Sequence, residues 1–230
     1  MAVTHWLDKD PGKYATGRQF RRLGYWMVAV NPVWTIRISG NLPKNMRNPF
    51  VVVCNHQSLA DIPIVSRLPW DMKWVGKESL FSLPILGWMM RIAGDIPVSR
   101  GDRRSRAQVM IDIKDRLEKK VSVMVMPEGT RSPDGRIGEF YDGAFKLALK
   151  LGLPVLPIAL DGSFDALPKN GWVFGKGSLI HLHVFDPIPA SEWEGKGTEW
   201  CAHVRSQIVQ KVAEWRQVGT DEVDSAELPQ

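Results

Sequence analysis

The sequence predicts a single α/β domain, with a mainly parallel or mixed central sheet flanked by helices. Three observations predict it. Short β-branched runs alternate with segments of helical period along the chain, as a layered α/β domain requires. Several of those runs are apolar throughout, as in strands covered on both faces. The 230 residues are 44% hydrophobic and hold no internal linker, which suits one sizeable core.

Taken in order, residues 15–30 have helical period and residues 33–39 alternate like a strand. Residues 50–54 are a continuous apolar run suited to a central or parallel strand. Residues 58–68 can form a helix with Ser58 as N-cap. Residues 73–76 make a short strand, and 78–93 a helix bent or broken at Pro84. A strand at 96–99 precedes a polar-faced helix at 103–120. Residues 121–126 are a β-branched strand, and 140–151 a helix ended by Gly152. Strands at 155–160 and 179–185 lead to a final amphipathic helix at 200–218.

The formal charge of +5 is unevenly spread. Residues 1–47 hold eight Lys/Arg and two acids, while residues 219–230 hold four acids and no base. A basic body suits nucleic acid, an anionic membrane, a phosphorylated substrate or simply a solvated surface. The two cysteines, Cys54 and Cys201, form no ligand cluster and read as reduced thiols. No apolar run reaches the roughly 18 residues of a spanning helix. The stretch 24–36 follows Arg18, Arg21 and Arg22 like a signal peptide, but no small-residue cleavage site follows and Arg37 comes at once. An interfacial segment fits better, with Trp26, Met27 and Trp34 entering lipid and the arginines meeting anionic headgroups. A helix packed on the protein's own core is the alternative. The expected organisation is a membrane-docking segment at 1–37, a main domain at 38–218 and a flexible acidic tail at 219–230.

Candidate chemistry clusters at predicted strand ends. The block Asn55-His56-Gln57-Ser58-Leu59-Ala60-Asp61 follows the 50–54 strand. Asp61 falls in the first turn of the next helix, within reach of the His56 imidazole. A carboxylate there fixes the ring tautomer and leaves the other nitrogen to take a proton. This is a base and its orienting partner without a protein nucleophile, so a substrate hydroxyl fills that role. Asn55 is a second-tier polar candidate. Pro127-Glu128-Gly129-Thr130-Arg131-Ser132 follows the 121–126 strand. Gly129 permits close backbone approach, Arg131 offers a bidentate fork for phosphate, and Thr130 and Ser132 add hydroxyls. Glu128 can orient the arginine or accept from a glycerol hydroxyl. The run 94–100 ends a strand in Arg100, a second arginine for the same anion. Residues 155–160 are chemically inert and at most line an acyl channel.

These blocks, in this order, resemble the glycerolipid acyltransferase family, particularly its bacterial 1-acylglycerol-3-phosphate acyltransferases, over roughly residues 30–190. The resemblance implies that His56 is the general base and Asp61 its partner. It implies that Glu128, Gly129, Thr130 and Arg131, with Arg100, hold the acceptor phosphate and glycerol. Lys77, opening Lys77-Glu78-Ser79-Leu80, matches a family segment and is a second-tier contact for phosphate or oxyanion. Ser99 and Met126 depart from the acidic and aromatic residues frequent there. The implied partners are a lysophospholipid, an acyl donor (acyl-CoA or acyl-carrier protein) and an anionic membrane surface, with no cofactor, metal or nucleic acid. The implied place is the cytoplasmic face of a bacterial inner membrane, peripheral or monotopic.

Rival readings remain at this point. Acyl transfer to another lysolipid, such as a lyso-ornithine lipid, uses the same blocks. A lipid-surface hydrolase or phosphoesterase can use the same His/Asp pair. Cys54 or Ser58 beside His56 raises covalent catalysis, and His181 and His183 alternate on one strand as a conceivable metal pair.

Overall fold

A computed structural model describes residues 2–45, 47–99, 101–167 and 177–225, with the backbone alone at Ala2, Met27 and Arg103. In chain order the elements are α1 (Ala2–Leu7), α2 (Tyr14–Ala29), β1 (Trp34–Gly40), β2 (Val51–Cys54), α3 (Asp61–Val65), β3 (Met72–Lys77), α4 (Glu78–Phe81) and α5 (Pro84–Ala93). There follow β4 (Ile96–Val98), α6 (Arg103–Glu118), β5 (Ser122–Val125), α7 (Gly143–Leu151), β6 (Val155–Asp161), α8 (Ser163–Ala166), β7 (Ser178–Val184), α9 (Gly197–Arg216) and α10 (Thr220–Val223). The seven strands form one sheet in the order β1-β7-β6-β2-β5-β3-β4. Only β6 and β7 pair antiparallel, so the sheet is mixed and mainly parallel.

The strand β2 explains the layering. Its four residues are all buried, and successive side chains point to opposite faces. Val51 and Val53 join a core with Ile113, Phe145, Trp200 and Ile208. Val52 and Cys54 join a second core with Ile64, Trp70, Trp74 and Leu182. Helices therefore cover both faces, which is why β2 reads as an unbroken apolar run. Pro84 stands in the first turn of α5, where its missing N–H costs nothing, and it separates α4 from α5.

Several sequence expectations need correction. Ser58 does not cap a helix that starts at 58. The helix begins at Asp61, and the Ser58 hydroxyl accepts from Ala60 N–H at 3.1 Å and donates to the Leu167 carbonyl at 2.6 Å. A boundary at residue 37 cuts through β1, which pairs with β7 from Trp34↔Ser178 to Gly40↔Val184. Trp34 accordingly packs against the second core rather than lipid. The 219–230 stretch is not free along its described part, because Val223 is fully buried against the first core.

The helix α2 is fastened to the domain by charge. Arg21 is buried and pairs with Asp71 and Asp95, and Lys73 joins Asp71. Lys73 also donates to the Lys13 carbonyl at 3.0 Å, and Asp95 accepts from Trp74 N–H at 2.9 Å. Burial pushes the Lys73 ammonium below its ordinary value and the Asp95 carboxyl above its own, against the attraction of their partners. Gly17 is required here, since a Cβ would lie 2.1 Å from an Asp71 carboxylate oxygen. Arg18 donates to the Leu68 carbonyl at 3.1 Å. Arg21 is thus no headgroup ligand, contrary to the sequence reading. The outer side of α2 nonetheless exposes Leu23 and Trp26, and Val30 just past its end is exposed too. Among the described residues, no helix is long and apolar enough to cross a membrane.

Candidate active site

The strands β2, β5, β3 and β4 run parallel, so their C-terminal ends share one edge of the sheet, the usual place for a site in such folds. The register Val53↔Val125 carries His56 level with Glu128. The register Trp74↔Met124 carries Lys77 level with Pro127. Lys77 is exposed and two strands from His56, roughly 10 Å at ordinary strand spacing. Arg100 lies outside the described residues.

His56 is held at three atoms. Its Nδ1 lies 2.7 Å from Asp61 Oδ2. Its backbone N–H donates to Glu128 Oε1 at 2.6 Å, and its carbonyl accepts from Ser132 N–H at 2.8 Å. Asp61 is fully buried, and its Oδ2 also accepts the N–H groups of Gln57 at 2.8 Å and Ser58 at 2.9 Å. A carboxylate oxygen with those bonds can only accept from the ring, so Nδ1 carries the proton and the lone pair sits on Nε2. Nε2 makes no hydrogen bond to a described residue, and His56 keeps 8% exposure.

The turn after β5 serves the histidine more than a ligand. Glu128 is buried, and its second oxygen accepts from Gly138 N–H at 3.1 Å. Both oxygens thus accept from backbone N–H groups, so Glu128 clamps His56 to the loop at Gly138. Burial, opposed by those two N–H bonds, pushes its carboxyl up to about 7. The folded state holds this proton more tightly than an open chain does. Its contribution to stability is therefore present below the ordinary value of 4.5 and is lost as pH rises through about 7. Gly129 closes the turn with its N–H on the Met126 carbonyl at 3.0 Å, at φ 68, which disfavours any side chain. Ser132 is buried too, and its hydroxyl accepts from Gly135 N–H at 2.9 Å within the next turn.

Beside the clamp lies a cavity of about 240 Å³ walled by Glu128, Thr130, Arg131, Arg136, Tyr141 and Ser225, among others. His56 is not one of its walls; Glu128 and Ser132 connect the two. Arg136 was not singled out in the sequence, though an arginine between Gly135 and Ile137, so close to Arg131, was the available signal. Asn55 does not face this cavity. Its amide brackets Leu160, donating to the carbonyl at 2.8 Å and accepting from the N–H at 2.9 Å, and so prolongs the pairing of β2 with β6. The strand β6 is buried along its whole length. Gln57 and Arg216 both bond Asp161 and the Gly135 carbonyl, which anchors the far side of the loop. Gln57 lies within the Asn55–Asp61 block but was given no role there, and Arg216 was not singled out in the sequence.

The side chains behind the covalent and metal rivals are engaged elsewhere. Burial raises the Cys54 thiol well above its ordinary value, and the Ser58 hydroxyl is committed to Leu167. His183 bonds Ser39 at 2.9 Å and His181 stacks on Trp215. Among the described residues no group of three His, Cys, Asp or Glu can hold a metal ion.

The Acyltransferase family profile matches residues 35–161, more than half of the chain, and spans both the His56 and the Glu128 blocks. The chain belongs to the acyltransferase family. It is 35% identical over 187 residues to a chloroplastic 1-acyl-sn-glycerol-3-phosphate acyltransferase, LPAT1, of Arabidopsis thaliana, covering 80% of this chain and 51% of that one. It is 27% identical over 197 residues to the enzyme of that name from Pseudomonas aeruginosa, covering 81% and 75%. The crystal structure of the 1-acyl-sn-glycerophosphate acyltransferase PlsC from Thermotoga maritima superposes with a TM-score of 0.72 at 28% identity, covering 86% and 78%. The chain spans about half the length of the chloroplastic and Chlamydomonas reinhardtii relatives it matches.

Proposed function

We propose that this acyltransferase moves a fatty acyl group from acyl-CoA or acyl-carrier protein to the 2-hydroxyl of a 1-acylglycerol-3-phosphate, giving phosphatidic acid. The observation that carries the reading is the imidazole fixed by Asp61 on one side and by the Glu128–Ser132 turn on the other, beside an arginine-walled cavity. In this reading the phosphate sits against Arg131, and the glycerol hydroxyl reaches His56 Nε2. Nε2 takes the hydroxyl proton as the oxygen attacks the thioester carbonyl. The tetrahedral adduct expels the thiolate, which recovers the proton from the imidazolium. Asp61 stabilises that imidazolium while it lasts. The family and the relatives' names support the reaction class; Glu128 and Asn55 act in it as positioning residues.

Arg131→Ala tests the acceptor assignment. A charge-assisted contact contributes about 1.5–3 kcal/mol, so the KM for the phosphorylated acceptor should rise by roughly one to two decades. The KM for the acyl donor should hold. A loss confined to the donor would move Arg131 to another subsite.

The acceptor is drawn from a bilayer, and the proposed location is the cytoplasmic face of a bacterial inner membrane. Helices α1 and α5 both pack against α2. Together the three expose Trp6 (84%), Trp26 (55%), Ile85 (72%) and Trp88. This apolar surface, extended by α5, replaces the 1–37 segment as the proposed docking face. Deleting the segment is no test of it, because Asp71, Lys73 and Asp95 would lose Arg21. The combined Trp26→Ser and Trp88→Ser variant should instead bind anionic vesicles at least about tenfold more weakly in a sedimentation assay. High salt should weaken the native protein without releasing it, since screening acts on the charges at about 1 kcal/mol each and not on buried rings. Native-like binding by the double variant would place docking elsewhere.

A further inference from the structure

The described end of the chain lies outside the family-matched residues 35–161, yet it reaches the cavity. Helix α10 packs on α9. From its end the backbone crosses to the loop that Glu128 holds. Ile137 N–H donates to the Val223 carbonyl at 2.9 Å, and Ser225 N–H donates to the Ile137 carbonyl at 3.1 Å. Arg205 of α9 fixes the crossing. Its guanidinium pairs with both oxygens of Asp224 and donates to the carbonyls of Ile137 at 2.9 Å and Gly138 at 2.7 Å. This fork geometry is beyond a lysine. The crossing brings Ser225 into the cavity wall with Thr130, Arg131 and Arg136.

We propose that residues 220–225 form a fixed wall of the acceptor headgroup site and that Ser225 is a contact residue for the phosphomonoester end of the lysolipid. The proposal rests on the acceptor reading given above. A phosphomonoester carries nearly two charges at neutral pH, which suits a cavity with two arginines. Of its two carboxylates, Glu128 turns both oxygens to backbone N–H groups, and Glu139 stands at the exposed side. The Ser225 hydroxyl donates to the Ile137 carbonyl at 3.1 Å, and a hydroxyl can turn that donor to a phosphate oxygen.

The test uses the full-length protein with two variants, Ser225→Trp, which fills the cavity, and Ser225→Asp, which sets a carboxylate against the arginines. Each should raise the KM for 1-acylglycerol-3-phosphate at least about tenfold while the acyl donor KM stays unchanged. Inorganic phosphate should inhibit the native protein competitively with the acceptor, and more weakly in Ser225→Asp. If the tryptophan variant unfolds, the aspartate variant decides. A native acceptor KM in folded Ser225→Asp overturns the proposal. Should Arg131→Ala still raise that KM, the wall alone is wrong; should the native protein esterify no lysophosphatidate, the functional reading fails instead.

Discussion

His56→Ala should lose acyl transfer almost completely in a protein that still folds. General-base catalysis by a placed histidine contributes about 10²–10⁴-fold, and Glu128, the neighbouring carboxylate, spends both oxygens on backbone N–H groups. The fold should survive. The lost imidazole leaves Asp61 with the Gln57 and Ser58 N–H groups on its carboxylate, and the backbone bonds of residue 56 to Glu128 and Ser132 need no side chain. Asp61→Asn should cost a similar factor for a different reason. An amide can present its N–H₂ to Nδ1 and so favour the wrong tautomer, and it offers the imidazolium no charge. Steady-state rates beside a thermal melt make the check. Near-native turnover by folded His56→Ala would remove the proposed mechanism.

The second large effect falls on stability. Arg21→Met should destabilise the protein by about 3–5 kcal/mol, the usual cost of stripping one partner from a buried ion network. The left-over groups are Asp71 and Asp95, both buried and sharing Lys73 as their nearest remaining cation. Adding Asp95→Asn to Arg21→Met should recover part of the loss, because it removes the carboxylate left unpaired. Urea unfolding of the three proteins measures this directly. A loss under about 1 kcal/mol for Arg21→Met would mean that α2 is held by its apolar contacts alone. The network also bears on the proposed docking face, since it ties α2, which carries Trp26, to the ends of β3 and β4.

What the sequence made legible was set by period and by strand ends. The apolar runs at β2 and β6, and the β-branched run at β5, could be recognised because these central strands are buried in the sheet. His56 and Asp61 stood out because five residues suffice to turn from a strand into a helix. The roles of Glu128 and Asn55 were hidden, because a polar side chain after a strand reads as a ligand until its backbone partners are known. Those partners, the N–H of His56 just past β2 and both groups of Leu160 in β6, are brought near by strand neighbours, and strand order is not written in local pattern. Arg21 misled for a related reason. On a helical wheel it joins Arg18 and Arg22 in a basic patch, and only the packing of α2 beside β3 shows that it points at Asp71 and Asp95. Arg205 and Ser225 left no signal at all, since their importance comes from a crossing between loop 133–138 and the end of the chain.

The central claim, acyl transfer to a phosphorylated glycerol by a histidine base, is tested most directly by thiol release from acyl-CoA. Free thiol should appear at an appreciable rate only when 1-acylglycerol-3-phosphate is present, in step with phosphatidic acid, and not with its dephosphorylated monoacylglycerol. Thiol released equally without acceptor, or with both acceptors alike, would contradict the account.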